Sequence, residues 1–498
     1  MRWKHSLPII LILGLGCILR CVHIGTRGIW YDEAFSILLA RQDLRSVISG
    51  AAADTMPPLY FFLLHLFLKM SHQIWWLRLL NIFISLVNLY LIYRMMNRLA
   101  GKKAGIVTGF ITAISPIHIY QAQEVYIYTL LVLGLVLYAY SFIRIWQADK
   151  RSSEGKANWF DWLGLAAGGV IAMYSHNLAV FTLIVPNIWL IIRREWRKFF
   201  NLILAQLVIF AFALPWLMLI PGQVSKIQAA FWIPRPGLVE LIQTVVVFCA
   251  AIPLPGIWQG IAIVISIEVL VFTCLGLYQR RKESGAETGL LFSFAVLPPL
   301  MIFLISYVMR PVFVPRGFLF SSIAYFGLVG LVAASKTSRI SGWFALGGFV
   351  LASVIAIPYQ TTYHRFPRSP YQKAIETIRP LVEEGDVIVH DNKLSFFPSY
   401  YYAPQLPQQF LADEPGAHND TLAPATQQAM NIFPKPDLPA AIGESKRVFF
   451  IVFEKAIQEY RAMGYPDHPN LAWLRQRYRL AQQWHFEDLI VYLFDEPS

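Results

Sequence analysis

The chain has 498 residues, of which 56% are hydrophobic and only 14% charged, with a mean hydropathy of +0.49 and a formal net charge of +12. These values exclude an ordinary soluble domain and describe a polytopic α-helical membrane protein. The positive charge fits retention of basic loops on one side of a membrane and contact with its lipids, and does not call for nucleic acid as a partner.

A hydrocarbon core about 30 Å thick needs about 20 apolar residues in helical form. Eleven runs of this kind are expected, near residues 7–23, 76–96, 104–122, 126–145, 159–175, 178–192, 199–220, 258–278, 288–307, 317–334 and 340–357. The first follows Arg2 and Lys4, and Cys17, Arg20 and Cys21 stand where a small-residue cleavage site would fall, so it reads as a retained anchor. Counting alternately from there, one side of the membrane collects Arg94, Arg98, Lys102 and Lys103, then Lys150, Arg151 and Lys156, then Arg193, Arg194, Arg197 and Lys198, then Arg280, Arg281 and Lys282, then Lys336 and Arg339. Positive residues are retained in the cytoplasm, which places the N-terminus there and the chain beyond residue 357 outside a plasma (inner) membrane. The four cysteines, Cys17, Cys21, Cys249 and Cys274, lie in or beside apolar segments and imply neither a disulfide framework nor a cysteine metal site.

Directly after the first run stands the acidic pair Asp32 and Glu33, with Trp30, Tyr31 and Phe35 around it. Carboxylates in aromatic company beside a membrane are costly unless they are used. Further along the same loop, beyond Asp54, the segment from Met56 to Phe67 is apolar but short. Spanning the membrane there would reverse the side of Arg94 to Lys103, so it reads as an interfacial or re-entrant helix started by Pro57 and Pro58, with Tyr60 and His65 on it and Lys69 beyond. The stretch from Gly237 to Ile252 reads as its counterpart before the eighth run.

Between the third and fourth runs, Ser115 and Pro116 lead through His118 to Glu124 in a tight external turn, followed by Tyr128. His118 suits either a substrate cavity or helix packing, and His176 with Asn177, at the end of the fifth run, suits either a substrate contact or interfacial solvation. Glu268, within the eighth run, is expected to be neutral or hydrogen-bonded rather than catalytic. The loop Arg310-Pro311-Val312-Phe313-Val314-Pro315-Arg316-Gly317 puts two arginines on the side where positive charge is depleted. Arginine holds phosphate bidentately and keeps its charge near lipid, although simple snorkelling to headgroups would also fit.

Beyond residue 357 the composition is that of a water-soluble α/β module, expected to hold helices over 371–384 and 470–477, strands over 386–390, 447–454 and 489–494, and a Pro-rich loop over 404–439. Two domains follow, 1–357 in the membrane and 358–498 outside. His390-Asp391 is read as a strand end, and the module as structural or acceptor-docking.

Carboxylates on two loops of the same side allow one to act as general base on an acceptor while another orients it or holds a metal ion. The outer face lacks nucleotide sugars, which leaves a lipid phosphate as the carrier of an activated donor. The order of Asp32-Glu33, Pro57-Pro58-Leu59-Tyr60, His65, Arg78-Leu79-Leu80, Ser115-Pro116 through Glu124 to Tyr128, and the Arg316 loop resembles GT-C membrane glycosyltransferases over residues 1–357. The likeness is nearest to the family 39 and 83 type, which includes protein O-mannosyltransferases and the lipid A aminoarabinose transferase. It implies about 11 transmembrane helices and inverting transfer of a sugar from a polyprenyl-phosphate donor to a protein, lipid or glycan acceptor. It further implies Asp32, Glu33 and Glu124 as the catalytic acids and Arg316, with Arg310 and Lys69, as donor-phosphate ligands. Tyr60, His65, His118, Tyr128 and His176 are the expected cavity residues. The sequence departs from the family pattern at Met56, where relatives often carry a basic residue or histidine. No cofactor is assigned, and a divalent metal between Asp32 and Glu124 is left open. The contrasting reading is a transporter or flippase of a lipid-linked saccharide, but no internal repeat supports it.

Overall fold

The computed structural model describes residues 3–148, 158–229, 233–251, 253–283, 285–413 and 422–496. Arg2, Lys150, Arg151, Lys156, Ile252 and the part 414–421 of the Pro-rich stretch lie outside the described residues. The chain divides into two compact units, one formed by 1–25 and 55–361 and the other by 26–54 and 362–498. This partition differs from a single boundary at 357: the loop with the acidic pair groups with the C-terminal module.

The first unit is a helical bundle of an integral membrane protein. Among the described residues, seven helices are long and apolar enough to cross a membrane: Ile74–Ala100, Tyr128–Ala148, Trp196–Leu217, Ile257–Gln279, Gly285–Val308, Pro315–Ala334 and Arg339–Gln360. The other expected runs also hold apolar helices, but shorter ones, Ser6–Cys21, Trp159–Met173 and Ala179–Ile192 among them. Two runs are broken at proline. Pro116 separates Lys102–Ile114 from Pro116–Ala122, and Pro186 lies at the start of Val185–Ile192, just after Ala179–Leu183. The two short segments read as interfacial are helices too, at Leu59–Leu68 and Leu238–Ala250.

Small residues let the central helices approach closely. A Cβ built on Gly134 would lie 2.5 Å from the Ala172 nitrogen, and one on Gly168 would lie 2.5 Å from the Tyr138 nitrogen, so Tyr128–Ala148 and Trp159–Met173 touch backbone to backbone. Polar side chains close the gaps left at helix breaks. Pro116 has no N–H to offer the Thr112 carbonyl, and the buried Arg20 guanidinium donates to Thr112 O at 3.2 Å, to Ala113 O at 3.0 Å and to Ser85 Oγ at 2.9 Å.

The second unit contains a five-stranded sheet in the order β2-β1-β3-β5-β4, with β1 at Val387–His390, β2 at Gln408–Phe410, β3 at Arg447–Phe453, β4 at Arg479–Phe486 and β5 at Leu489–Asp495. Strand β1 runs parallel to β2 and β3, whereas β3, β5 and β4 are antiparallel. Alternate residues feed two cores, one around Val389, Phe450, Tyr492 and Leu471, the other around Ile388, Phe449, Val491 and Ile375. The first expected helix is shorter than the pattern suggested, Tyr371–Ile378, because a 3-10 turn with Pro380 at its centre follows it. The Pro-rich stretch holds β2 and the helices Pro424–Met430 and Leu438–Ile442.

Residues 26–54 contribute the helices Tyr31–Ala40 and Leu44–Ala53 to this unit. The first sets Tyr31 and Phe35 on Phe397, with ring centroids 5.4 and 5.9 Å away, on the helix Lys393–Tyr402. Gly50 on the second accepts at its carbonyl from Thr426 Oγ1 at 3.1 Å. Buried aromatic area and these bonds explain why the loop groups with residues far along the chain.

Candidate active site

In the second unit, Asp32 and Glu33 occupy the first turn of Tyr31–Ala40. Negative charge is favoured there by the helix dipole. Glu33 is fully buried, and its Oε2 accepts from Arg368 Nη1 at 2.8 Å, with the two side chains 0% and 2% exposed. The same Arg368 nitrogen donates to the Gly28 carbonyl, and its guanidinium carbon lies 5.9 Å from the Trp30 ring centre. The Ile29 N–H donates to the Tyr402 hydroxyl at 3.0 Å, and Lys393 Nζ stands 5.6 Å over the Tyr31 ring. Asp32 is 9% exposed, at the edge of this buried set, and its main-chain carbonyl accepts from Ser36 Oγ at 2.7 Å. Two carboxylates adjacent in sequence are thus in different environments, one committed to a buried ion pair and the other nearer the surface.

In the first unit, Glu124 is buried in the turn between Pro116–Ala122 and Tyr128–Ala148. Asn81 Nδ2 donates to the carbonyls of Glu124 and, at 2.8 Å, of Tyr126, while Gln123 Nε2 donates to Arg20 O at 3.1 Å and Val22 O at 2.7 Å. The turn is therefore fixed through its main-chain carbonyls and the Gln123 side chain.

Three expected residues come together in the same unit. The Tyr128 and His176 rings stack with centroids 5.8 Å apart and planes 27° from parallel, and the Arg316 guanidinium carbon lies 5.7 Å from the Tyr128 centroid. His176 Nδ1 accepts from the Leu178 N–H at 3.1 Å, which leaves Nε2 to carry the proton of the neutral ring. Burial, with the Arg316 charge adding to it, lowers the His176 pKa to about 4. A half-buried guanidinium over an aromatic face beside a neutral imidazole donor suits an anionic oxygen.

The other candidates are more dispersed. His118 bonds Ser322 Oγ at 2.9 Å, faces the Phe326 ring and lines a small cavity with Arg20, Asn88, Gln121, Thr129 and Val132, a helix-packing environment. Asn177 is held by protein groups, donating to Thr55 O at 3.2 Å and accepting from Trp216 Nε1 at 2.7 Å, so it joins elements of the bundle. Tyr60 is buried near the start of Leu59–Leu68, His65 is half-buried midway, and Lys69 is exposed just past its end, about 14 Å of helical rise from Tyr60. Arg310 is half-buried. Among the described residues no group of three or more His, Cys, Asp or Glu side chains is arranged to hold a metal ion.

The sequence reading missed Arg368, Tyr402 and Asn81. Arg368 and Tyr402 carry no local signal. Asn81 does, since Arg78, Asn81, Ser85 and Asn88 form a polar stripe at helical spacing on an otherwise apolar helix, and such stripes face protein.

The chain's architecture is similar to that of ArnT from Cupriavidus metallidurans, solved bound to undecaprenyl phosphate, with a TM-score of 0.61 and 11% identity over 98% of both chains. The chain has the GT-C fold. Within this fold it is also similar to the Archaeoglobus fulgidus oligosaccharyltransferase tethered to an acceptor peptide, with a TM-score of 0.56 and 10% identity over 100% of this chain and 74% of that one. The archaeal oligosaccharyltransferase AglB from the same organism, in complex with an inhibitory peptide and a dolichol-phosphate, gives a TM-score of 0.54 at 12% identity over 99% of this chain and 74% of that one. Residues 55–219, from the end of the acidic loop to the end of Trp196–Leu217, match the model of the dolichyl-phosphate-mannose-protein mannosyltransferase family. No curated protein sequence matches the chain.

Proposed function

We propose that the chain is a glycosyltransferase that moves a hexosyl or pentosyl group from a polyprenyl-phosphate carrier to an acceptor on the extracytoplasmic face of the plasma membrane, with inversion. The observation that carries this reading is the chain-long GT-C likeness to a protein solved with a polyprenyl phosphate. The family match to dolichyl-phosphate-mannose-dependent transferases supports the same donor class. The alternation of basic loops supports a cytoplasmic N-terminus and an extracytoplasmic C-terminal domain.

In this reading the acceptor hydroxyl or amine gives its proton to the Asp32 carboxylate as its oxygen or nitrogen attacks the anomeric carbon. The bond from that carbon to the phosphate oxygen breaks, and the polyprenyl phosphate leaves with the electron pair. Arg316 meets the charge that develops on the leaving phosphate, and Tyr128 and His176 hold its guanidinium. Arg310 and Lys69 offer further positive charge to the carrier. Glu124 orients the acceptor. Tyr60 and His65 line the donor cavity.

Purified chain given a radiolabelled polyprenyl-phosphate sugar and candidate acceptors tests the proposal. Asp32→Asn is expected to lower transfer about 10³-fold while leaving donor binding in place. Full turnover by that variant, or passage of label across vesicles with the sugar–phosphate bond intact, would overturn it.

A further inference from the structure

A buried ion pair joins the second residue of the acidic pair to an arginine 335 positions later in the chain. It is one contact of several that converge on residues 28–33. Arg368 takes the Gly28 carbonyl and the Glu33 carboxylate with one nitrogen, and its guanidinium lies beside the Trp30 ring. Tyr402 accepts from the Ile29 N–H, and Lys393 stands over Tyr31. Carbonyl, amide, ring and carboxylate are thus held on both sides of Asp32 by residues of the C-terminal module.

We propose that Arg368 is a positioning residue for transfer: it holds the Gly28 carbonyl and the Glu33 carboxylate and thereby sets the direction in which the Asp32 carboxylate points. The inference rests on the reading of Asp32 as the base. Glu33 takes no proton in this scheme and serves as the anchor. Asp32 is next to Glu33 in the first helical turn, so its main chain cannot shift without moving the anchor. The planar guanidinium meets two acceptors in fixed directions, which an ammonium on a flexible stem does not reproduce. Displacing a reacting group by about 1 Å costs on the order of 100-fold in rate, so a clamp of this kind is visible in kcat even where folding is unaffected. The C-terminal module accordingly acts on the chemistry through the loop it holds, in addition to any contact it makes with acceptor.

The test compares Arg368→Lys, the paired Glu33→Gln/Arg368→Gln and Tyr402→Phe with the native chain. Readouts are kcat, donor and acceptor KM, donor binding and thermal unfolding of the full-length protein. Arg368→Lys keeps the charge, and the paired variant leaves neutral amides facing each other, so at least one is expected to fold with a near-native transition. Both are expected to lose about 30- to 100-fold in kcat with donor KM within about threefold. Tyr402→Phe keeps its ring and loses one hydroxyl, and is expected to lose about threefold in kcat with folding intact. Native kcat in a folded paired variant, or in Tyr402→Phe should both others fail to fold, would overturn the proposal, because the pair would then only join loop to module. Asp32→Asn run alongside separates the two readings: if it stays active the base assignment fails, and if it is inactive while the paired variant turns over normally only the positioning role fails.

Discussion

Around the two buried acidic residues, Glu124 in the bundle and Glu33 in the second unit, polar groups are met in different ways. In the helical bundle, Arg20, Asn81, Asn88 and Gln123 all donate to main-chain carbonyls, chiefly where a helix breaks or turns. In the unit formed by the loop and the C-terminal module, Glu33 meets the Arg368 side chain, and the buried His390 likewise meets Ser395 and Gln408. A side chain that serves a carbonyl fixes the path of the chain nearby and carries no partner charge. A side chain that serves another side chain joins distant segments, and its loss strands whatever it paired with. Substitutions in the bundle should therefore deform turns, and those in the second unit should separate parts of the chain.

The largest effect is expected where a charge is stranded. Arg368→Ala leaves the Glu33 carboxylate buried alone, a change that costs about 3–5 kcal/mol in comparable sites. Loss of amide protection across Tyr31–Ala40 and Lys393–Tyr402, followed by hydrogen exchange, is the expected outcome. Unchanged protection would show that the aromatic contacts and the remaining hydrogen bonds hold the loop without Arg368.

His390 tests the same unit by pH. Its ring is fully buried, and burial, opposed by the Gln408 hydrogen bond, lowers its pKa to about 3. Gln408 Nε2 is committed to the Ala403 carbonyl at 2.7 Å, so its Oε1 faces the imidazole, and His390 Nε2 carries the proton of the neutral ring. In the unfolded chain the ring would bind a second proton near pH 6.5, and in the folded one it does not. The unfolded state therefore binds more protons between those values, and stability falls as pH drops. From pH 6.5 to 5 the loss from this group approaches about 2 kcal/mol. Replacing His390 by Gln should flatten the dependence of unfolding on pH by about one proton; an unchanged slope would assign the acid sensitivity elsewhere.

A smaller effect is expected in the bundle. Asn81→Ala removes the donor to the Glu124 and Tyr126 carbonyls, leaving buried acceptors unmet at a cost of about 1–3 kcal/mol. Because the damage is to the turn, transfer should fall more than the melting temperature does. A loss of stability with native kcat would remove Glu124 from the functional set.

Much of this was legible in the sequence, for a physical reason. Each expected apolar run coincides with a helix because a bilayer demands apolar length, and that demand is written locally. Strands β1, β3 and β5 were visible because they are buried on both faces and read as unbroken apolar runs. Strand β4 was not, since it pairs along one side with β5 and most of its residues are exposed, so Arg479-Leu480-Ala481-Gln482-Gln483 carries no apolar period. The helix Lys393–Tyr402 was hidden by Pro398 within it. The union of residues 26–54 with the C-terminal module was out of reach for another reason: the pairing of Glu33 with Arg368 has no period and no spacing, and two residues in contact across 335 positions leave no mark on their neighbours. For the same reason the acidic pair could be flagged as a candidate site while the different environments of its two members could not.

The smallest effect sets the two arginines against each other. Arg368 has the Glu33 carboxylate at its guanidinium, and Arg316 lies over the Tyr128 ring, which is stacked in turn on His176. A ring steadies a guanidinium by about 0.5–2 kcal/mol. Arg316→Lys preserves the charge and gives up the planar fork, so donor affinity should weaken about tenfold, or about 1.4 kcal/mol, with little change in folding. Tyr128→Leu should produce part of that loss by releasing the arginine from its platform. The sign of the contrast is the test: lysine at 316 should move donor KM more than kcat, and lysine at 368 should move kcat more than donor KM. The reverse pattern would exchange the roles proposed for the two residues.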